Sequence, residues 1–327
     1  VLGETKVEKV KTSRKAMKAD ALILALGIRP NTGFLADSGI ELNDNGTVKV
    51  NDSFQTNDPD IYALGDCAMV TNRITQKPAW SPMGSSANIE GRLLAQNLNG
   101  HSGQYPGVLG TGVCKLPGLN CGRTGLGEAA AKEAGFDPVS VITVVDDKAH
   151  YYPGASSFLV KMIADRNSRK LLGLQCMGSG EADKMIDIAV MGISLGAALT
   201  DMEYLDFAYA PPFSTAIHPF AHTLNVLLNK ISGEFETFTP VEYQAGAAEG
   251  YTLIDCSPAP SLEGAEYLDY TSLTGEFPGH SKEEPLFLVC AKGKRAYLTQ
   301  NRLKSLGYTN TRVLEGGTTF NGTEIEA

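Results

Sequence analysis

With 327 residues, the chain has room for two or three domains with cores of their own. A hydrophobic content of 43%, a charged content of 20% and a net charge of −9 suit a folded protein and argue against a nucleic-acid partner, since no basic stripe stands out. Apolar runs are of strand length, as at 21–26, so no membrane span is expected, and no signal peptide is recognisable in a chain that begins at Val1. Six cysteines, at 67, 114, 121, 176, 256 and 290, form neither a Cys-x-x-Cys pair nor zinc spacing with histidine. Reduced thiols in a cytoplasmic protein and no metal site are the expectation.

Residues 1–107 alternate short apolar runs with turn signals. The run 20–32, DALILALGIRPNT, is expected to be a strand closed by a turn at Arg29, Pro30, Asn31 and Thr32. Gly46 ends an Asn-Asp-Asn-Gly turn before an edge strand at 47–50. The segment 56–66, TNDPDIYALGD, predicts a strand ending at Gly65 and Asp66. That puts a carboxylate at a strand's C-terminal edge, where open α/β sheets bind nucleotide-type ligands. Residues 82–98 read as a helix with Ile89, Leu93, Leu94 and Leu98 at helical spacing and Gly100 as a stop; 105–108 reads as a linker.

From 108 to about 238 the pattern becomes α+β. Thr124 is expected to cap a helix over 125–134 that Gly135 ends. Strands are predicted at 140–145, 157–163 and 170–176, and helices at 181–195 and 218–231. Gly178, Gly180 and Asp183 mimic a dinucleotide fingerprint, but Asp183 occupies the third glycine position, where its carboxylate would oppose a pyrophosphate. An ordinary strand-to-helix turn is expected there. His218 and His222 lie one helical turn apart without a third ligand and read as helix-face residues.

The remainder, 239–327, is a compact α/β pattern with strands at 252–255, 286–289 and 311–314 and a helix at 295–306; no internal repeat is evident. Cys290 ends a strand and opens the loop Ala291, Lys292, Gly293, Lys294 and Arg295 before that helix. Backbone amides at a helix N-terminus and three cations should depress the thiol pKa and stabilise an anionic sulfur, with Gly293 permitting the tight turn. The alternative is a buried strand-end cysteine in a plain α/β turn.

The segments 20–32, 56–66 and 82–92 together resemble the closing FAD-binding segment of the flavin-dependent pyridine nucleotide-disulfide oxidoreductases. The resemblance implies that Asp66 accepts a hydrogen bond from a ribityl hydroxyl of FAD. It also implies that backbone groups of Met83 and Gly84, at a helix start, face the pyrimidine edge of the flavin, where partial positive charge suits a reduced ring. Without the family, Asp66 would read as an aspartate closing a turn beside a surface helix. Residues 112–115 and 124–128 resemble the start of the family's interface domain. The stretches 150–154, HYYPG, and 209–214, YAPPFS, resemble the coenzyme A-disulfide reductase and NADH oxidase branch. There, Tyr209 would reach the partner subunit's active site and hydrogen-bond or protonate a leaving thiolate; the alternative is a packed aromatic fixed by two prolines. His150 is given no catalytic role, and Cys67 reads as structural. The Cys290 loop, with 253–255 upstream and 314–317 downstream, resembles the active loop of rhodanese-like sulfurtransferases, whose cysteine carries a persulfide. It departs from that pattern between Asp255 and Leu286, where the usual arginine is replaced by 256–260, CSPAP, and a helix is missing.

The expected fold class is therefore α/β and α+β multidomain. The end of an NAD domain and a partial FAD-binding domain (second segment) fill 1–107, an α+β dimerisation domain 108–238, and a rhodanese-like α/β domain 239–327. The resemblance implies FAD and NAD(P)H as cofactors of the intact enzyme, with coenzyme A a further candidate, a homodimer through 108–238, and a small thiol, disulfide or persulfide substrate. Neither the family's redox cysteine nor its first FAD fingerprint is found in the sequence, so these residues alone are expected to lack hydride transfer and are not expected to hold FAD unaided. Two rivals stand beside this: a sulfurtransferase on a non-catalytic dimerisation scaffold, and a degenerate rhodanese-like binding module.

Overall fold

The computed structural model describes residues 1–319; the end of the expected rhodanese-like segment, 320–327, lies outside the described residues. The chain divides into two compact units, Val1–Thr71 with Pro78–Pro106, and Asn72–Lys77 with the residues from Gly107 onward. No helix among the described residues is long and apolar enough to cross a membrane.

In the first unit, β1 (Lys9–Lys11) and β2 (Ala16–Lys18) form an antiparallel ribbon. The expected strand at 20–32 does not form. Ile23 and Leu26 are each 89% exposed, and among the described residues no neighbouring strand supplies ladder hydrogen bonds to hold this run extended. β3 (Val48–Lys49) takes the edge position expected of it, pairing with β4 (Ala68–Thr71), which pairs in turn with β5 (Pro78–Ala79). The segment 56–66 is a folded-back loop, with Thr56 N donating to Ile61 O and Ala63 N to Phe54 O. Asp66 therefore lies in a 3-10 turn, Gly65–Cys67, rather than at a strand end. Helix α1 (Gly84–Leu98) starts two residues later than expected, and Ile89 and Leu98 point outward at 59% and 64% exposure.

In the second unit, β6 (Gly112–Leu116) and β7 (Leu119–Gly125) form a hairpin. Thr124 is a strand residue opposite Leu174, with its hydroxyl 2.7 Å from that of Thr111, so it caps no helix. The short α2 (Glu128–Glu133) follows with Gly127 as its cap. β8 (Pro138–Asp146), β9 (Ser157–Asp165) and β10 (Leu171–Gly178) complete an antiparallel sheet of order β6-β7-β10-β9-β8. Helix α3 (Ala182–Leu195) lays Ala182, Met185, Ile186, Ala189 and Ile193 on that sheet, an i, i+3, i+4, i+7 stripe. The short α4 (Leu199–Met202) leads towards α5 (Pro219–Ile231), whose N-cap is His218 and whose first residue is a proline that has no amide to leave unpaired.

A second sheet is parallel throughout. Its strands are β11 (Thr237–Phe238), β12 (Thr252–Asp255), β13 (Glu266–Tyr267), β14 (Leu286–Val289) and β15 (Thr311–Leu314), in the order β11-β15-β14-β12-β13. α6 (Pro240–Gln244) and α7 (Lys294–Ser305) are its helices. Every residue of β14 is buried, as befits a central parallel strand. No helix lies between β12 and β14, and Asp255 ties the replacement loop instead: its carboxylate accepts from the amides of Ser257, Ser261 and Leu262. The two sheets share one apolar core, which runs from Val141 and Leu224 to Ile254 and Leu303.

His280 lies between two carboxylates, Nε2 2.9 Å from Glu266 and Nδ1 3.1 Å from Glu284. Burial lowers its pKa, but Glu284 and Glu266 outweigh that and raise it above 6.5. A raised folded pKa stabilises fully below the unfolded value of about 6.5 and ceases to do so as pH rises through the folded value. Urea midpoints followed from about pH 6 to 8.5 should fall across the upper part of that range, and fall less in His280→Gln.

Candidate functional site

Asp66 sits in the turn between the 56–66 loop and β4, and its backbone carbonyl accepts from Trp80 Nε1 at 2.9 Å. The carboxylate is exposed and has no hydrogen bond or ion pair among the described residues. The turn is fixed from below by Glu90, which is 1% exposed in α1 and accepts from Gly65 N at 2.7 Å. The same carboxylate acts on Tyr105, whose pKa is pushed up to about 12 by burial first and by Glu90 second. Met83 caps α1, and the first amides of the helix, from Gly84, have no acceptor within it. Asp66, Met83 and Gly84 thus belong to one unit, where the turn and the helix start touch. An open carboxylate and unpaired helix amides fit the hydroxyl and the acceptor-rich ring edge of a flavin. Sequence reasoning missed Glu90; its only signal was an acid inside the face formed by Ala87, Leu93 and Leu94.

The second constellation is built on β14. Cys290 follows Val289 and is 3% exposed; the chain turns at Gly293 (φ 81°), the N-cap of α7, and Ala296 N donates to Cys290 Sγ at 3.4 Å. The sulfur therefore rests at a helix N-terminus, as the sequence predicts. The cations behave differently from expectation. Lys292 Nζ is 2.6 Å from Asp146 at the end of β8 and 3.0 Å from Ser157 Oγ. Arg295 donates to Cys256 O and Asp269 and lies 5.0 Å over the Tyr270 ring. Lys294 alone of the three has no ion pair among the described residues. Arg295 reaches the carbonyl after Asp255 from the loop side, close to where the expected arginine is missing. Cys256 neighbours Cys290 across the β12 and β14 pair, and burial pushes its thiol up to about 12.

Gly317 closes the loop from the far side. Thr318 N donates to Cys290 O, and a Cβ at Gly317 would lie 2.3 Å from Cys290 O and 2.4 Å from Ala291 O. With φ at 68°, a side chain here also meets left-handed backbone strain. Gly317→Ala should cost about 2–4 kcal/mol by chemical denaturation, the sum of a backbone clash and that strain.

Tyr209 lies in an irregular segment between α4 and α5 and is 52% exposed, so it is not the packed aromatic of the alternative reading. No hydrogen bond or ring contact joins it to the Cys290 loop among the described residues. Tyr204, Phe213 and Ile217, near it in sequence, are also exposed, at 87%, 67% and 61%. His218 accepts from Phe220 N and stacks on Phe207, and burial brings its pKa down to about 4. No metal cluster of histidine, cysteine and carboxylates is found among the described residues. At the fingerprint mimic, a Cβ on Gly180 would sit 2.6 Å from Asp147 Oδ2, so the turn packs against a carboxylate of the protein itself.

Between the two sheets, a cavity of about 230 Å³ is lined by Val144, His222, Asn225, Lys294, Tyr297 and Leu314, among others. Glu315 crosses the same junction, accepting from Ile142 N, Thr237 Oγ1 and Lys230 Nζ. The Cys290 loop is thus anchored to both sheets.

Comparison with known proteins accounts for all these parts. Residues 1–84 match the pyridine nucleotide-disulphide oxidoreductase family, 113–221 its dimerisation domain, and 239–319 the rhodanese-like domain. An NAD(P)H sulfur oxidoreductase (CoA-dependent) of Pyrococcus furiosus is 36% identical over 69% of this chain and 51% of its own length. The chain spans about half the length of the curated relatives it matches. The crystal structure of reduced Bacillus anthracis CoADR-RHD superposes with a TM-score of 0.88 at 30% identity, covering 96% of this chain and 58% of that one. An NAD-dependent persulfide reductase from A. fulgidus gives 0.85 at 32% identity, covering 94% and 56%. The chain belongs to the pyridine nucleotide-disulphide oxidoreductases and carries a rhodanese-like domain.

Proposed function

We propose that the chain supplies the second flavin-binding segment, the dimerisation domain and a sulfur-carrying rhodanese-like domain to an NAD(P)H-dependent reductase of coenzyme A disulfide or persulfides. The division at 107 and 238 separates these three parts. Asp66 would hold a ribityl hydroxyl of a flavin, and the α1 amides from Gly84, next to Met83, would hold its pyrimidine edge; the group would supply electron transfer between nicotinamide and sulfur. Hydride transfer is not ascribed to these residues alone. A homodimer through 108–238 is supported by the dimerisation-domain match and by the exposed Tyr204, Tyr209, Phe213 and Ile217; Tyr209 would offer its phenol to the partner's substrate thiolate. Unpaired cysteines throughout suit a cytoplasmic setting.

The observation that carries the proposal is Cys290 Sγ seated on the Ala296 amide at the start of α7. Backbone amides there stabilise an anionic sulfur or persulfide, the state that accepts and donates sulfane sulfur. The near-complete burial of Cys290 favours a second reading, a loop that binds a partner without transferring sulfur. Steady-state transfer from thiosulfate to cyanide separates them. Saturable turnover supports the sulfur carrier; none at any thiosulfate concentration supports the binding module.

A further inference from the structure

The β6–β7 hairpin carries two cysteines that no part of the proposed reaction uses. Cys114 and Cys121 are directly opposite each other in the antiparallel register, on one face, two pairs from the Pro117-Gly118 turn. Cys114 is exposed, Cys121 half-buried, and β6 is the edge strand of its sheet. The remaining cysteines do not compete. Cys176 is buried and pairs with Gly122, one position along β7, and therefore points from the opposite face of the sheet. Cys256 and Cys290 are buried in the other sheet, and Cys67 belongs to the other unit.

We propose that Cys114 and Cys121 form a reversible thiol–disulfide exchange site for low-molecular-weight disulfides. Opposed residues of an antiparallel pair have Cβ atoms about 4.5–5.5 Å apart, while a disulfide brings them to about 3.5–4.5 Å. Closing the bond needs only a small shift of an edge strand. The strain that remains keeps the bond reducible, which separates an exchange site from a structural crosslink.

The chemistry proceeds in two displacements. The exposed Cys114 thiolate attacks an incoming disulfide RSSR, forming Cys114–S–S–R and releasing RS⁻. Cys121 then loses its proton and attacks the Cys114 sulfur, forming Cys114–S–S–Cys121 and releasing the second RS⁻. Two electrons pass from the protein pair to RSSR, and the two thiol protons end on the released thiols. The order of events follows from the local electrostatics. Desolvation, then the charge of Cys114 and a hydrogen bond with it, raises the Cys121 pKa. Once Cys114 is a neutral mixed disulfide, its charge no longer opposes ionisation of Cys121, so the second step is favoured only after the first.

The test equilibrates the full chain with mixtures of reduced and oxidised glutathione, blocks free thiols by alkylation, and maps every cysteine by mass spectrometry. The expected result is an intrachain Cys114–Cys121 link, lighter by two hydrogens, with both residues losing alkylation together. Cys114→Ser should leave Cys121 alkylated, and Cys121→Ser should stop at a glutathione adduct on Cys114. Three outcomes would overturn the proposal: a glutathione adduct on Cys114 in the wild type with Cys121 still alkylated, an interchain Cys114 crosslink, or both thiols free in the most oxidising mixture.

Discussion

Cys290→Ser is expected to lower thiosulfate:cyanide sulfur transfer by roughly a thousandfold or more, because the covalent carrier is lost and not merely weakened. A serine oxygen in the same seat still accepts from Ala296 N but forms no persulfide. The neighbouring thiol offers no substitute: Cys256 is fully buried and its pKa stands near 12, so it remains protonated at neutral pH. The fold should tolerate the change at a cost of about 1 kcal/mol, as for other conservative swaps at a buried site. Thermal melting of both proteins separates lost chemistry from lost structure. Full activity in the folded serine variant would move the chemistry away from Cys290.

Glu315→Ala should destabilise the junction strongly, by about 3–5 kcal/mol. Its side chain is fully buried, and it gathers Lys230, Thr237 and the Ile142 amide from three separate elements. Removing it leaves the Lys230 ammonium, itself largely covered, with Ser140 O as its remaining hydrogen bond. A buried charge without its counter-ion is costly, and the Ile142 amide loses its acceptor as well. Urea unfolding of the wild type, Glu315→Ala, Lys230→Met and the double variant gives the coupling. The double variant should recover part of the loss, since no stranded charge remains. A loss below about 1 kcal/mol would mean that the two sheets are held by their shared core alone.

Three of the five strands of the C-terminal sheet were legible because their signals are local; the two-residue β11 and β13 were not. The runs 252–255, 286–289 and 311–314 are short stretches built on Leu, Ile, Val and Phe, and all three form strands with those bounds. The loop from Cys290 to Arg295 was legible for the same reason, a cysteine, a glycine and a helix start in consecutive positions. The partners of its cations were not, because Asp146 is 146 residues from Lys292 in sequence and belongs to another sheet. At 20–32 the composition reads as a strand, but a strand needs neighbours, and apolar content cannot supply ladder partners. Thr124 shows the reverse error. Its hydroxyl and the glycines after it mimic a helix cap, whereas pairing with β10 outweighs that local preference. Glu90 was hidden because an acid on a helix ordinarily faces water; only the folded turn at Gly65 reveals that its role is to accept a buried amide.

Whether Cys290 carries sulfur is read most directly from the mass of the peptide that contains it. The full chain is treated with thiosulfate, alkylated without reductant and digested. One added sulfur atom is expected on Cys290, removed by cyanide and absent from the peptides of Cys67, Cys114, Cys121, Cys176 and Cys256. An unmodified Cys290 peptide, or added sulfur on another cysteine instead, would contradict it.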